Sequence, residues 1–403
     1  MFLLTHNYFI TSKNLLIRLL SLFDEFLVTD SKDAKTVWKQ KMRRRVLEVV
    51  AMWFQDTNYL QPEDLTKDFV NLWQIFANKT DPNVSFSEKS IFQRLSFVLQ
   101  QHSQQIALAK QELRKSQTVK VPVSRSSTRA FINVLEWDPL IWAQQISCHD
   151  FQFYKKILPH EFFNKSFLTP EKSPYFTILT SQWNKLGLWA ASELVSRRST
   201  SERVDCLSHF VLIAKRLHKL NNFHSSFGIL CGLNNPSVSR LHKTWKKLPK
   251  RISNTFSKLM QAYEMSKNYK NYREILKSAT PPLLPYLGII SKDLFGVEEN
   301  NQNFVTPENT QEGDSKESNK ESNKESNKES NKESNKESHF KLINFSKMRI
   351  LEKITSDILK YQKTKYPFER KPQIIEYLES LPYKDEKEIH SESLLCEKKD
   401  KNK

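Results

Sequence analysis

The chain has 403 residues, 38% of them hydrophobic and 27% charged, and carries a net charge of +18. Such a balance supports a sizeable buried core, and the length allows about two to three domains. Only 6 glycines occur, so glycine-rich phosphate loops and tight hairpins are scarce. The 4 cysteines (Cys148, Cys206, Cys231, Cys396) show neither metal-ligand spacing nor a disulfide framework. A reducing, intracellular compartment is therefore expected. No run approaches transmembrane length. The opening "MFLLTHNYFI" is apolar, but His6 and Asn7 interrupt it and no cleavage pattern follows, so it reads as part of the fold.

Residues 2–80 read as helices. "SKNLLIRLLSLFDEFL" spreads Leu15, Ile17, Leu19, Leu20 and Phe23 over broad apolar faces. Lys35–Asp56 places Val37, Val46, Val49, Val50 and Phe54 near helical spacing. "PEDLTKDFVNLWQIF" is a third helix, opened by Pro62. Over 86–130 one helix, "SEKSIFQRLSFVLQQHSQQIALAKQELRK", runs into the polar connector "SQTVKVPVSRSSTR".

From Trp137 the helical signal strengthens. "PYFTILTSQWNKLGLWAASELVS" carries Ile178, Trp183, Leu186, Trp189 and Leu194. In "SERVDCLSHFVLIAKRLHKL" the stripe is Val204, Leu207, Phe210, Val211, Ala214 and Leu217. "SSFGILCGLNN" is short and stops at Pro236. Residues 254–276 read as one further long helix. Strand signals are weak throughout, so the fold class is all-α.

Residues 301–338 break the pattern. Most of the segment repeats KESN, which buries too little surface to offset ordering, so a disordered insert is expected. Its serines are candidates for phosphorylation, which would turn the insert strongly acidic. Beyond it, "FKLINFSKMRILEKITSDILKYQ" resumes as a helix with Leu351, Ile354, Ile358 and Tyr361 on one face. Apolar helices on both sides of a polar insert imply a helical hairpin with a lengthened tip. Such lengthening costs little, because closure entropy grows only logarithmically.

The first helix of that hairpin, within "YLGIISKDLFGVEEN", has two faces. Leu287, Ile290, Leu294 and Val297 form a narrow core stripe at 100° per residue. Lys292, Phe295 and Glu299 fall on a different face, with Phe295 and Glu299 neighbours at i, i+4. An aromatic beside a carboxylate off the core stripe suits a surface that inserts into a partner. The same spacing is met by Phe295 packed on a neighbouring helix with Glu299 solvated. For Asn234, just before Pro236, the residues alone fit either a helix C-cap or a contact.

Several long motifs resemble the Ras-family guanine nucleotide exchange factors. "LEWDPLIWAQQISCHDFQFYKKILPHEFF" resembles the opening of their catalytic domain, and "SPYFTILTSQWNKLGLWAASELVS" the segment after it. "ERVDCLSHFVLIAKRLHKLNNFHSSFGILCGLNNPSVSRL" is the most specific match. "LPYLGIISKDLFGVEENN" with "LINFSKMRILEKITSDILKYQ" is similar to the family's helical hairpin, and "SESLLCE" to its closing motif. The resemblance implies an all-α exchange domain over 131–397 with a protruding hairpin and the insert at its tip. "FLLTHNYFITSKNLLIRLL" resembles the family's exchanger motif, a small helical module over 1–85. That module's usual first helix and strand have no counterpart, so a partial module is expected.

The resemblance further implies a protein that performs no covalent chemistry and needs no cofactor or metal of its own. It would accelerate GDP/GTP exchange on a Ras- or Rap-like small GTPase by inserting the hairpin at the nucleotide site. Phe295 matches the apolar residue that blocks the GTPase's metal site. Glu299 matches the glutamate that hydrogen-bonds a GTPase residue otherwise holding metal and phosphate, and Asn234 the asparagine that contacts the switch region. Tyr286 and Leu287 match the hairpin anchor. Phe227, Ser181, Trp183 and Lys292 fall at expected GTPase-binding positions, although Phe227 fits the core equally. Lys292 stands where the family often has threonine, Asn300 where it has glycine, and Ser181 with Trp183 replaces a polar-then-Phe pattern. These departures bear on which GTPase is chosen.

An interaction protein that keeps this fold and binds a GTPase without exchanging its nucleotide is the alternative. Nucleic-acid binding has only net charge in its favour, since zinc spacing and interleaved aromatic–basic stripes are lacking. The basic runs Lys39–Arg45 and Lys243–Arg251 fit a solvated face or an anionic membrane surface. A cytoplasmic protein is expected, with recruitment to the inner face of the plasma membrane as a further expectation.

Overall fold

The computed structural model describes residues 2–26, 34–55, 60, 65–78, 84–118, 132–305 and 341–398. Helices dominate. In chain order the longer ones are α1 (Ser12–Glu25), α2 (Ala34–Gln55), α3 (Lys67–Ala77), α4 (Phe86–Thr118), α5 (Pro139–Tyr154), α6 (Pro174–Val195) and α7 (Thr200–Lys219). They continue with α8 (Phe223–Leu233), α9 (Lys250–Ala262), α10 (Ser266–Ser278), α11 (Leu287–Asn300), α12 (Phe345–Leu359), α13 (Pro372–Glu379) and α14 (Glu386–Cys396). Among the described residues the strands are β1 (Phe304–Val305) and β2 (Leu342–Ile343). Residues 306–340, which hold the KESN repeats, and 119–131, most of the polar connector, lie outside the described residues.

Three apolar cores form. One is confined to residues 3–99 and is built on Leu16, Phe23, Val50, Trp53, Phe54 and Trp73. The expected α1 and α2 faces need correcting here, because Ile17 and Val37 are exposed. Leu15, Leu20 and Phe23 are buried as expected, joined by Leu16, and Leu16, Leu20 and Phe23 form an i, i+4, i+7 series. The largest core joins α5 to α8 around Trp142, Trp189 and Phe210. The third gathers the hairpin helices with Tyr154, Phe162 and Phe176, and also takes Leu4 and Tyr8 from the N-terminus. Helix α4 bridges cores. Phe92, Leu95 and Leu99 sit in the N-terminal core, whereas Ala109 and Leu113 sit in the hairpin core.

Local chemistry explains the element ends. Ser199 and Glu202 form a reciprocal capping box that starts α7, and Leu207, Phe210, Val211, Ala214 and Leu217 are buried along it. Close approach fixes the crossing of α6 and α8. A Cβ on Gly232 would lie 2.1 Å from the Gly187 carbonyl oxygen, so no larger residue fits without backbone movement. The helix expected over 254–276 is instead two. Helix α9 ends at Ala262, Tyr263 turns into the core, and Lys267, Asn268 and Tyr269 adopt left-handed backbone (φ 48°, 55° and 58°). A right-handed helix cannot propagate through them.

The basic run on α2 also differs from a plain solvated face. Arg43 is buried, lies 3.8 Å above the Phe23 ring and bonds Glu88 at 3.0 Å. The run around Lys243–Arg251 is an exposed basic surface. Lys243, Lys246, Lys247, Lys250 and Arg251 are all exposed, and no acid occurs between Arg240 and Tyr263.

Candidate functional site

Helices α11 and α12 form the hairpin. Its two arms are clipped by the antiparallel pairs Phe304↔Ile343 and Val305↔Leu342. The Asn344 side chain adds a bond to the Gln302 carbonyl at 3.0 Å. Leu287, Ile290 and Leu294 are buried, with Val297 packed at the edge, as the stripe predicts. Against them lie Met348, Leu351 and Ile358 of the same core. Phe295 is 43% exposed on the other face, beside exposed Lys292 and Glu299. The helix has no glycine at its C-terminus. Instead Asn300 and Asn301 donate side-chain N–H groups to the carbonyls of Gly296 and Val297, satisfying acceptors that the last turn leaves open.

Two adjacent acids in the last turn of a helix oppose its dipole. Each is answered by a lysine. Glu298 pairs with Lys347 of α12 at 2.8 Å, with side chains only 6% and 3% exposed. Lys347 also donates to Asn303 Oδ1 at 2.7 Å. The Tyr8 hydroxyl donates to Glu298, so the N-terminal segment touches the hairpin directly. Burial, reinforced by the Glu298 carboxylate, holds the Tyr8 phenol protonated far above its ordinary range. Glu299 pairs with Lys165, whose ammonium also lies 5.4 Å from the Phe295 ring centroid. A cleft of about 450 Å³ is lined by Asn164 and Lys165 of one turn and by Glu298, Glu299 and Lys347 of the hairpin.

Just before that turn lies buried Glu161, which accepts from the Leu158 and Phe176 backbone N–H groups at 3.2 and 2.9 Å. Burial raises the Glu161 carboxyl from 4.5 to about 8 against the opposing pull of those bonds. The folded state therefore keeps a proton that the unfolded chain loses at lower pH. Its stabilisation is complete below about pH 4.5 and disappears as pH rises through about 8. The melting temperature is expected to fall across that window. Glu161→Gln, which cannot titrate, should flatten the slope, and an unchanged slope in thermal melts would refute the assignment.

At the hairpin base an aromatic cluster gathers side chains from four elements. Tyr286 stacks on Trp183 with centroids 5.8 Å apart and meets Phe227 edge-on at 4.9 Å. Phe227 stacks on Tyr263 at 4.7 Å. Being only 4% exposed, Phe227 forms the wall behind this surface and offers no accessible face of its own. Phe227 belongs to the largest core. Tyr286 lies over Gly288, where a Cβ would meet its hydroxyl oxygen at 2.3 Å. Leu287 is fully buried, and its N–H donates to His224 Nδ1 at 3.4 Å. His224 Nε2 faces the Leu179 carbonyl at 3.1 Å, which assigns the ring proton to Nε2. Burial lowers the His224 pKa, keeping the ring neutral.

Ser181 is half-buried on α6, two residues before Trp183. Lys292 reaches the left-handed segment, donating to Asn268 Oδ1 at 2.9 Å and lying 5.4 Å from the Tyr269 ring centroid. Asn234 is exposed at the C-cap of α8. Its carbonyl accepts from Ser239, and its side-chain amide has no hydrogen-bond partner among the described residues. The structure thus groups Lys292, Phe295 and Glu299 on one helix face and Trp183, Phe227 and Tyr286 at its base. Asn234 stands apart at the end of α8. Lys165, Glu298, Lys347 and Tyr8 escaped the sequence reading.

A family profile for the RasGEF domain matches residues 141–349, more than half of the chain, and takes in the whole first arm of the hairpin. The chain belongs to the RasGEF domain family. Ras guanine nucleotide exchange factor D of Dictyostelium discoideum is 32% identical over 253 residues, covering 62% of this chain and 33% of that protein. Factor E of the same organism is 34% identical over 297 residues, covering 70% and 29%. Ras-specific guanine nucleotide-releasing factor 1 of Mus musculus is 29% identical over 261 residues, covering 64% and 18%. The RasGEF chain therefore spans a third or less of the length of these relatives. No helix among its described residues is long and apolar enough to cross a membrane.

Proposed function

We propose that the chain is a guanine nucleotide exchange factor that promotes GDP release from a Ras-family small GTPase, Ras- or Rap-like. The observation that carries this reading is the exposed Phe295–Glu299 face on a clipped hairpin inside the RasGEF match. The core stripe of α11 holds the hairpin to the body, so the outward face can enter a partner without unfolding its support.

The chemistry is exchange by binding, with no covalent step. The hairpin displaces the switch that covers the nucleotide. Phe295 brings an apolar ring to the place where the GTPase holds magnesium, which cannot be coordinated by carbon. Glu299 accepts a hydrogen bond from the GTPase side chain that otherwise serves metal and phosphate. Magnesium neutralises much of the phosphate charge, so losing it weakens nucleotide binding. Asn234 offers its free amide to the switch region, and Lys292, Ser181 and Trp183 flank the surface. Nucleotide and exchanger each lower the affinity of the other by the same factor. Nucleotide-free GTPase should co-elute with the chain in gel filtration, and added GTP should split the complex. Co-elution that GTP leaves intact would contradict the reading.

The exposed basic surface at Lys243–Arg251 suits an anionic membrane, where each lysine or arginine contributes about 1 kcal/mol. Flotation with phosphatidylcholine vesicles is expected to need added phosphatidylserine. Charge reversal at Lys246, Lys247 and Lys250 should abolish it. Equal flotation with and without phosphatidylserine would rule this surface out.

A further inference from the structure

We propose that Lys165 is a positioning residue for Glu299, a role that rests on the exchange reading of the hairpin. The two acids ending α11 are treated differently. Glu298 finds its cation inside the hairpin, whereas Glu299 takes one from a turn 134 positions earlier in the chain. The Lys165 ammonium bonds Glu299 Oε1 and lies near the Phe295 ring, so one group touches both side chains of the outward face. It engages a single carboxylate oxygen, which leaves Oε2 to accept from a partner.

The carrier of this lysine is fixed. Asn164 and Lys165 are both left-handed (φ 51° and 56°), a backbone that non-glycine residues adopt rarely. The Asn164 N–H donates to the Tyr8 hydroxyl at 2.8 Å and points at Glu298 Oε1 at 3.2 Å. Beyond it, the Lys165 carbonyl accepts from the Leu168 N–H at 2.9 Å. An inhibitory latch needs a carrier that swings away, and this turn is tied to the hairpin and to the N-terminal segment. Lys165 therefore restricts Glu299 and Phe295 before any partner arrives, which lowers the cost of ordering them at the step that displaces the nucleotide.

The test measures GDP release at varied concentrations of the responding GTPase. Lys165→Ala should lower the maximal rate by about two- to fivefold, the range of an exposed ion pair, with the half-saturating GTPase concentration unchanged. Lys165→Arg should keep the wild-type rate, and Lys165→Ala should cost less in a Glu299→Ala background than in the wild type. A rate equal to or above wild type in Lys165→Ala overturns the proposal, as does an equal loss in both backgrounds. Amide hydrogen exchange of residues 294–300 gives a second readout on the chain alone. It should quicken by about the same factor in Lys165→Ala and not in Lys165→Arg, and an unchanged rate overturns the proposal. If the wild type accelerates no GTPase, the exchange reading fails, while hydrogen exchange still decides whether Lys165 orders this face.

Discussion

Glu299→Ala is expected to slow GDP release by about tenfold to a hundredfold while leaving the melting temperature nearly unchanged. A hydrogen bond to a charged group is worth about 1.5–3 kcal/mol, and the loss falls on the complex. Among the described residues of the free protein Glu299 makes an exposed pair with Lys165, and such pairs contribute about 0–1 kcal/mol. The affected step distinguishes this from general weakening. Stopped-flow release should show a lower maximal rate on every GTPase that the wild type accelerates. Wild-type rates in Glu299→Ala would remove the residue from the mechanism.

Glu298→Ala, one position earlier, should do the opposite. Its carboxylate is buried against Lys347 and also accepts from Tyr8. Removing one partner of a buried pair costs about 3–5 kcal/mol, because the other charge stays in the protein. Lys347 would keep Asn303 and the face of the Tyr8 ring but no counter-charge among the described residues, and the Tyr8 hydroxyl would lose its acceptor. The melting temperature should fall by roughly 10 °C, and activity should fall only because the hairpin is loosened. Low temperature should therefore rescue Glu298→Ala and not Glu299→Ala. A stable Glu298→Ala in calorimetry would contradict the role given to the Lys347 pair.

These neighbours show how far the sequence could be read. The stripe of α11 is a local 100° pattern, so Leu287, Ile290 and Leu294 were legible as core, and Phe295 and Glu299 as lying off it. The hairpin itself was legible because apolar helices flank a polar repeat. The partners of the two acids were not, since Lys165 and Tyr8 approach through tertiary packing, with no spacing relation to α11. The break between α9 and α10 also left no mark, because Lys267–Tyr269 turns left-handed without glycine or proline. The ladder at Phe304 and Leu342 spans two residues per strand, too short for any alternation to show. Phe227 could be placed only by structure, as its helix is apolar nearly all round.

The most direct measurement is release of a fluorescent GDP analogue from a panel of Ras-family GTPases mixed with the wild-type chain. Acceleration of at least one member, at a rate that saturates with the chain, is the predicted result, and it would identify the partner. No acceleration of any member, with nucleotide-free GTPase still bound, would contradict exchange activity and leave a GTPase-binding scaffold.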